Sequence, residues 1–561
     1  MKKRLVTLLL ALAVATSATA CGNKASANYY YGCVDTTCET ATGDYSYAPS
    51  PSKNYSNLAP EACTEAVAGD YSSEECLDPF LGYEPEETYD VLKESSFKSV
   101  SLSPLSTFAA DVDTACYANV RRLIKRNGYM VGGFSNVAVR PEEMINYFKY
   151  DYKAPEGNNR FNVNSTISDC PWNEETKLMV LGINAMKLNE DKTPDSNIVF
   201  LIDVSGSMDD EDKLPLLKDS MKLLVESLSK NDKVSIVTYA NGTSVVLDGV
   251  SCDKKKTINK AFDKLMAGGG TNGESGIELA YEIAKKNYIE GGNNRVIIAT
   301  DGDFNIGKHH GNELEDLISE KKETGVFLSV LGFGSGNYND ITGETLADKG
   351  NGNYSYIDCL DEAKRVLVDE FGSTIYTVAK DTKFQVEFNP AMISEYRLIG
   401  YENRALNDED FTDDTKDGGE VGAGHQVTVI YEIKLVDSEG GTNLKYQDKN
   451  INKKGLSKDE WCTVSIAYKD PNKEKSEYLE FPIGEGNYTN KPDDNFVLAS
   501  SVAEFAMALK ESDFLEDVTP EDAVRQAMER VQALDSEDER VRELAVLMKM
   551  SLESTDIYYL Y

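Results

Sequence analysis

Five oxygen-bearing side chains in three separate stretches of the sequence have the chemistry to hold one small divalent cation. Two are carboxylates and three are hydroxyls: Asp203, Ser205, Ser207, Thr271 and Asp301. Such hard oxygen ligands are what Mg²⁺ prefers, and Mn²⁺ or Ca²⁺ accepts them too. The residue types therefore predict a Mg²⁺ site, with Mn²⁺ or Ca²⁺ as the alternatives.

The elements that carry these residues suit a site at the edge of a sheet. Residues 198–202 are five consecutive apolar residues, which predict a strand buried on both faces, and residues 296–300 predict another. The threonine lies in a glycine-rich loop, residues 267–273, where glycines let the backbone approach a metal closely. Open α/β sheets place their sites at the carboxyl ends of such strands.

The complete set, D-x-S-x-S followed by T and D, resembles the metal-ion-dependent adhesion site of the von Willebrand factor type A (VWA) family at all five positions. The resemblance implies a Mg²⁺ held by Ser205, Ser207 and Thr271. Asp203 and Asp301 would lie near the metal, often bound to it through water. One coordination position would stay open for an Asp or Glu carboxylate from a partner protein.

The surrounding pattern predicts an α/β fold. Strands and helices alternate through residues 196–377, which predicts a doubly wound, Rossmann-like sheet. Period-two apolar strands occur before this unit, in 160–183, and after it, in 384–481. We therefore expect one β-sandwich with the VWA domain inserted between its halves. Two separate β modules flanking the VWA domain are the alternative.

The resemblance extends over about residues 103–555 to a bacterial subfamily of VWA lipoproteins with accessory regions on both sides of the VWA domain. It rests on phrases such as Ser-Pro-Leu-Ser-Thr-Phe from Ser103 and Tyr-Arg-Leu-Ile-Gly-Tyr-Glu-Asn-Arg from Tyr396. The predicted organisation is a signal peptide (1–20), a flexible linker (21–95), an N-terminal accessory region (96–195), the VWA domain (196–377), a β-rich domain (378–490) and a C-terminal helical region (491–561).

The first twenty residues have the parts of a signal sequence: basic residues 2–4, an apolar stretch 5–15 and small residues before Cys21. A cysteine at the first mature position resembles the bacterial lipobox, although Ala18 stands where leucine is usual. We expect an exported protein with a lipid on Cys21, anchored at the outer face of the bacterial cell membrane, or periplasmic in a Gram-negative cell.

Composition narrows the choice of partners. The chain has 58 basic and 95 acidic residues, a formal charge of −37, which argues against nucleic acid or anionic lipid as the main partner. Three histidines leave little for a catalytic triad or a histidine-rich zinc site. Nine cysteines remain besides Cys21, and the best candidates for local disulfides in an exported chain are Cys33, Cys38, Cys63 and Cys76.

Two short motifs resemble other sites but lack their context. Residues 111–114, Asp-Val-Asp-Thr, resemble the D-x-D-x-T motif of haloacid-dehalogenase phosphatases with the threonine one position early, and no buried apolar strand leads into them. The segment from Asp301 begins like a calcium-binding EF-hand loop, but Ile306 stands where that loop requires glycine and Asn312 where it requires glutamate. We therefore expect neither site.

The leading hypothesis is a non-enzymatic surface lipoprotein that binds a protein partner through the metal, as an adhesin or envelope scaffold. A metal-dependent hydrolase is the first alternative, but it lacks a placed general base, since Glu274 and Asp303 are only near in sequence. The second alternative is a structural protein of envelope assembly, in which the metal only holds the loops together.

Overall fold

The computed structural model describes residues 87–553 apart from 88, 90–92, 111–112, 129–138, 189–192, 272, 303–310, 323, 337, 417, 437–458, 472, 474 and 516–517. The chain divides into two compact units, 1–76 and 77–561, and every described residue belongs to the second. The predicted signal peptide, Cys21, the four candidate disulfide cysteines and most of the predicted linker therefore lie outside the described residues.

The strands are, in chain order, β1 Lys98–Ser99, β2 Leu105–Ala109, β3 Phe161–Asp169, β4 Lys177–Ala185, β5 Ser196–Asp203, β6 Lys233–Tyr239, β7 Thr243–Ser251, β8 Asn293–Thr300, β9 Phe327–Phe333, β10 Tyr354–Ile357, β11 Thr377–Phe388, β12 Ile393–Leu398, β13 Gly419–Gly422, β14 Gln426–Leu435, β15 Glu460–Lys469 and β16 Ser476–Gly484. The α-helices are α1 Ala115–Asn127, α2 Pro141–Asn146, α3 Leu214–Ser227, α4 Lys255–Asp263, α5 Gly273–Lys286, α6 Gly311–Lys322, α7 Asp340–Lys349, α8 Leu360–Lys364, α9 Phe371–Ile375, α10 Asp494–Leu509, α11 Pro520–Ala533 and α12 Glu539–Leu552.

The central sheet of the VWA domain has the strand order β10-β9-β8-β5-β6-β7. All neighbours are parallel except β7, which pairs antiparallel with β6 at the edge. Alternate residues of β5 enter different cores: Ile198 and Phe200 pack with α3 and α4, whereas Val199 and Leu201 pack with α5. A strand covered on both faces by helices is the doubly wound arrangement predicted from its continuous apolar run.

The β-sandwich combines strands from both sides of the VWA domain. One sheet has the order β1-β12-β14-β4-β3 and the other β13-β11-β15-β16, with β2 also paired to β11. Strand β4 precedes the VWA domain and pairs antiparallel with β14, which follows it; β2 and β11 repeat this relation. The predicted insertion is therefore confirmed, and the alternative of two separate β modules is wrong.

Helices cover the outer face of the first of these two sheets. The core there joins α1 and α2 to α10, α11 and α12, and it includes Leu178 and Val180 of β4. The apolar stripes of the C-terminal helices are buried packing surfaces, as their periodicity predicted. Helix α11 begins as its sequence indicates, because the Thr519 side chain accepts a hydrogen bond from the backbone of Asp522 and proline follows at the first helical position.

Buried ion pairs attach the VWA domain to the rest of the chain. Arg121 of α1 donates to Asp358, just after β10, and to Glu362 of α8. Arg140, the residue before α2, pairs with Asp340 and with Glu344 of α7 at 3.0 and 2.7 Å. Arginine and carboxylate satisfy each other in these positions, where either alone would be costly to bury.

The end of the predicted linker is packed against the fold. Glu87 is buried, and both nitrogens of one edge of the Arg122 guanidinium donate to its carboxylate, at 3.0 and 2.9 Å. Tyr89 accepts a hydrogen bond from Asn119 at 2.9 Å. The first packed residues therefore precede the predicted boundary at residue 95.

Four cysteines in the described part of the chain are free thiols, Cys170, Cys252, Cys359 and Cys462, and the sulfur of Cys116 accepts a hydrogen bond from the backbone nitrogen of Arg140 at 3.2 Å. Burial raises the pKa of each of them above the ordinary thiol value. No helix formed by the described residues is long and apolar enough to cross a membrane.

Candidate metal centre

The turn after β5 gathers the first three predicted ligands. Asp203 is fully buried at the end of the strand, and its Oδ1 accepts a hydrogen bond from the backbone nitrogen of Ser205 at 2.8 Å. A short 3₁₀ turn, Gly206–Asp209, then brings Ser207 back, so that its Oγ lies 3.0 Å from the Oγ of Ser205. The alternate spacing D-x-S-x-S thus places one carboxylate and two hydroxyls on the same side of the turn.

The glycine-rich loop is fastened to this turn by backbone hydrogen bonds. Gly206 donates to the carbonyl of Gly269 at 2.9 Å, and Gly268 donates to the carbonyl of Val204 at 2.8 Å. Gly269 has a φ of +95°, and a Cβ there would lie 2.6 Å from Nδ2 of Asn241. Thr271 is half-buried and follows two residues after Gly269. The two backbone bonds therefore bring its segment of chain beside the serines.

Asp301 reaches the site from the neighbouring strand. It follows β8, which lies parallel to β5 with Ala299 opposite Ile202, and it is fully buried. Burial raises the pKa of Asp203 to about 6, a shift that hydrogen bonds from Ser205 oppose and the negative charge of Asp301 increases. A cation between the two carboxylates would relieve this repulsion.

The residues present fit a hard cation. In the described part of the chain, no group of three or more His, Cys, Asp or Glu side chains could hold a metal ion. The candidate set differs from such groups because it combines two carboxylates with three hydroxyls. The set supplies hydroxyl donors from Ser205, Ser207 and Thr271, with Asp203 and Asp301 as the charged members. Four of the five gather around the end of β5 and the fifth lies in the attached loop; their role as ligands stays a prediction.

Sequence reasoning missed two polar neighbours of this site. The hydroxyl of Thr300 lies 3.5 Å from Oδ2 of Asp203 and donates to it. The ammonium group of Lys213 lies 3.1 Å from Oδ2 of Asp301. The available signal for Lys213 was a single basic residue after four consecutive acidic ones, residues 209–212. Nothing in that spacing shows that its side chain turns inward.

The other residues considered for a catalytic or calcium site are Asp113, Glu274 and Asp303. Asp113 of the phosphatase-like motif is buried and accepts hydrogen bonds from the backbone of Tyr354 and from Arg404, which is a structural role. Glu274 lies in the first turn of α5. Asp303 and most of the EF-hand-like segment lie outside the described residues, so the hydrolase alternative stays a hypothesis.

This fold, with this site at the carboxyl end of its central strand, defines a VWA-domain protein. The family described as von Willebrand factor type A domain matches residues 197–366, and one described as von Willebrand factor matches residues 84–180. The family described as "Uncharacterized protein YfbK, C-terminal" matches residues 373–552. "Uncharacterized protein YfbK" of Escherichia coli (strain K12) is 40% identical over 439 residues, which cover 77% of this chain and 75% of that protein. The chain therefore belongs to the YfbK family.

More distant similarities concern the VWA domain or the fold. Inter-alpha-trypsin inhibitor heavy chain H4 of Homo sapiens is 25% identical over 150 residues, which cover 25% of this chain and only 16% of that protein. A solved von Willebrand factor type A structure from Catenulispora acidiphila has 16% identity and a TM-score of 0.39, with 71% of this chain and 91% of that chain covered. A likeness at this score carries no conclusion about function. At the level of the domain, a VWA fold suggests protein–protein interaction or adhesion.

Proposed function

We propose that this protein is an exported surface lipoprotein that binds a protein partner through a Mg²⁺-dependent adhesion site in its VWA domain, as an adhesin or envelope scaffold. The observation that carries the proposal is the convergence of Asp203, Ser205 and Ser207 with Asp301, which follows the adjacent strand β8. Membership of a family with a VWA domain supports a binding role. The signal sequence and Cys21 support export and a lipid anchor.

The chain's own residues prepare the site for a carboxylate. Ser205, Ser207 and Thr271 offer neutral oxygens, so they would leave most of a cation's positive charge uncompensated. Asp203 fixes the turn by accepting from the backbone of Ser205, and Asp301 adds a second buried negative charge. Bound Mg²⁺ would supply an electrophilic position that takes one oxygen of an Asp or Glu side chain from the partner.

Binding to proteins of the cell envelope tests the proposal. The wild-type chain, with Mg²⁺ and then with EDTA, is compared with Asp203→Asn, which keeps an acceptor for the Ser205 backbone but loses the charge. Asp219→Asn is the matched control, because Asp219 is exposed on α3 and pairs with Lys222. We expect a partner captured with Mg²⁺ by the wild type and the control, and lost with EDTA or Asp203→Asn. Capture that ignores both changes would contradict the proposal.

The same protein, with and without EDTA, also tests the two alternatives, a purely structural role and a metal-dependent hydrolase. If the metal only holds the loops together, EDTA will lower the melting temperature without changing any interaction. If the protein is a metal-dependent hydrolase, it will cleave a member of a phosphoester or peptide panel, and Ser205→Ala will abolish that cleavage.

A further inference from the structure

A buried lysine accompanies the predicted metal ligands. Lys213 precedes α3, and its side chain is only 5% exposed. Its Nζ lies 3.1 Å from Oδ2 of the fully buried Asp301 and 3.8 Å from Oδ2 of Asp210, which is 75% exposed. The ammonium group is therefore closer to a carboxylate of the adhesion-site set than to Asp210, whose pair with it is longer and faces water.

The fold makes room for this lysine. Gly334 follows β9 with a φ of +76°, and a Cβ at that position would overlap the Cγ, Cδ and Cε of Lys213. The absence of a side chain at Gly334 thus lets the stem of Lys213 run along the backbone to Asp301. The positive φ of Gly334 favours glycine in its own right, and the space beside its Cα accommodates the stem of Lys213.

The loop that holds the stem is itself anchored on both sides. Ser335 Oγ donates to Asp212 at 3.3 Å, and the backbone nitrogen of Gly336 donates to the buried Glu87 at 3.0 Å. Glu87 is in turn held by Arg122. The position of the ammonium group is therefore fixed by the surrounding chain.

Lys213 changes the net charge of the candidate metal site. Among the described residues, the buried charged groups of the site are Asp203 and Asp301, with two negative charges, and Lys213, with one positive charge. A divalent cation would make the sum of these buried charges positive by one. Without the lysine the loaded site would be neutral. We infer that Lys213 is an affinity-setting residue: it weakens the binding of Mg²⁺ and keeps the loaded site positive for a carboxylate of the partner. This inference rests on the function proposed above.

Removing the charge of Lys213 should have opposite effects on the metal-free and the Mg²⁺-bound protein, which makes the inference testable. Without metal, Lys213 neutralises the buried carboxylate of Asp301, so its removal should destabilise the metal-free protein. With metal, the cation takes over this neutralisation and no longer meets a like charge nearby. Loss of the lysine charge should therefore strengthen Mg²⁺ binding while it weakens the metal-free fold.

The experiment measures the binding of Mg²⁺ in the absence of any partner protein. Binding is followed by calorimetric titration and by the melting temperature of the EDTA-stripped full chain with and without Mg²⁺. Lys213→Met keeps the apolar stem and removes the charge, and Lys213→Arg keeps the charge. Lys222→Met on the exposed face of α3 is the matched control. We expect Lys213→Met to bind Mg²⁺ about tenfold or more tightly than the wild type and to gain a larger Mg²⁺-induced rise in melting temperature. The other two variants should bind like the wild type.

The outcomes separate this inference from the proposed function. If the wild type shows no Mg²⁺ binding, the proposed function fails, and the inference fails with it. If the wild type binds Mg²⁺ but Lys213→Met binds equally or more weakly, and melts lower by the same amount with and without the metal, Lys213 is only structural and the inference alone is overturned. If Lys213→Met does not fold, Lys213→Gln, which can still donate to Asp301, is held to the same criteria.

Discussion

Replacing Arg121 with methionine should weaken the attachment of the VWA domain to the rest of the chain. Arg121 is buried on α1, and its Nε donates to Oδ2 of Asp358 at 2.8 Å while its Nη2 donates to Glu362 at 2.8 Å. Both acceptors belong to the VWA domain. Methionine fills much of the space of the arginine stem, so the change mainly removes the guanidinium from two buried carboxylates.

The size of the stability loss in Arg121→Met depends on which hydrogen-bond partners Asp358 and Glu362 still have. Removal of one partner of a buried ion pair costs about 3–5 kcal/mol, because the other charge stays buried. Glu362 retains Arg365, whose Nε donates to it at 2.9 Å, so its charge stays compensated. The loss therefore falls mainly on Asp358, and we expect the free energy of unfolding to decrease by about 3 kcal/mol, the lower end of that range.

Urea denaturation followed by circular dichroism measures this change. Lys125→Met is the matched control on the same helix, because Lys125 pairs with Glu543 near the surface and such pairs contribute about 0–1 kcal/mol. The double variant Arg121→Met with Asp358→Asn should recover part of the loss, since it removes the uncompensated charge. A cost for Arg121→Met no larger than that of Lys125→Met would refute the reasoning.

Three further predictions concern pH, the glycine loop and the helical core. Burial raises the pKa of Glu142 to about 7, so the folded state binds this proton more tightly than the unfolded state. The free energy of unfolding should therefore fall as the pH rises from about 4.5 to 7. In urea titrations, Glu142→Gln should raise the free energy of unfolding at pH 8 by on the order of 3 kcal/mol and flatten its pH dependence. Gly269→Ala should destabilise the fold by about 1–3 kcal/mol and weaken Mg²⁺ binding in calorimetric titration, because an alanine is strained at its φ of +95°; Gly268→Ala, which meets open space, should do neither. Leu544→Ala on α12 should cost about 2–5 kcal/mol in urea denaturation because this side chain is fully buried, whereas Val546→Ala, 56% exposed on the same helix, should cost far less.

The sequence predicted the VWA sheet well because its signals are local. A short continuous apolar run that ends in polar turn residues favours a strand covered on both faces, and β5 is such a strand. Residues 244–250 have the pattern of a short edge strand, and β7 pairs antiparallel with β6 at the edge of the sheet. Residues 361–371 have the pattern of one helix, but the structure has α8, a π-helical turn over Arg365–Asp369 and α9 there. That interruption accompanies contacts of Arg365 with Glu370, five residues later, and with Thr114, just before α1, neither of which is at helical spacing.

The parts of the site that sequence reasoning missed depend on tertiary structure. The inward turn of Lys213 requires a glycine more than a hundred residues later in the chain, and the packing of Glu87 requires an arginine on α1. Composition around Glu87 indicates a linker, because local composition cannot reveal a distant partner. The D-x-S-x-S turn, by contrast, is short enough for its own spacing to fix the geometry.

The pairing of β4 with β14 has a consequence for how this protein folds while it is being synthesised. When β3 and β4 emerge, they can pair with each other, but β14, the second neighbour of β4, has not yet been translated, whereas every strand of the VWA sheet is available before β14 appears. The inserted domain can thus fold first, while β4 presents an apolar edge that aggregates easily. Helix α10, which covers that region, is made later still. A nascent chain of this protein should therefore depend on a chaperone until β14 and α10 have been made.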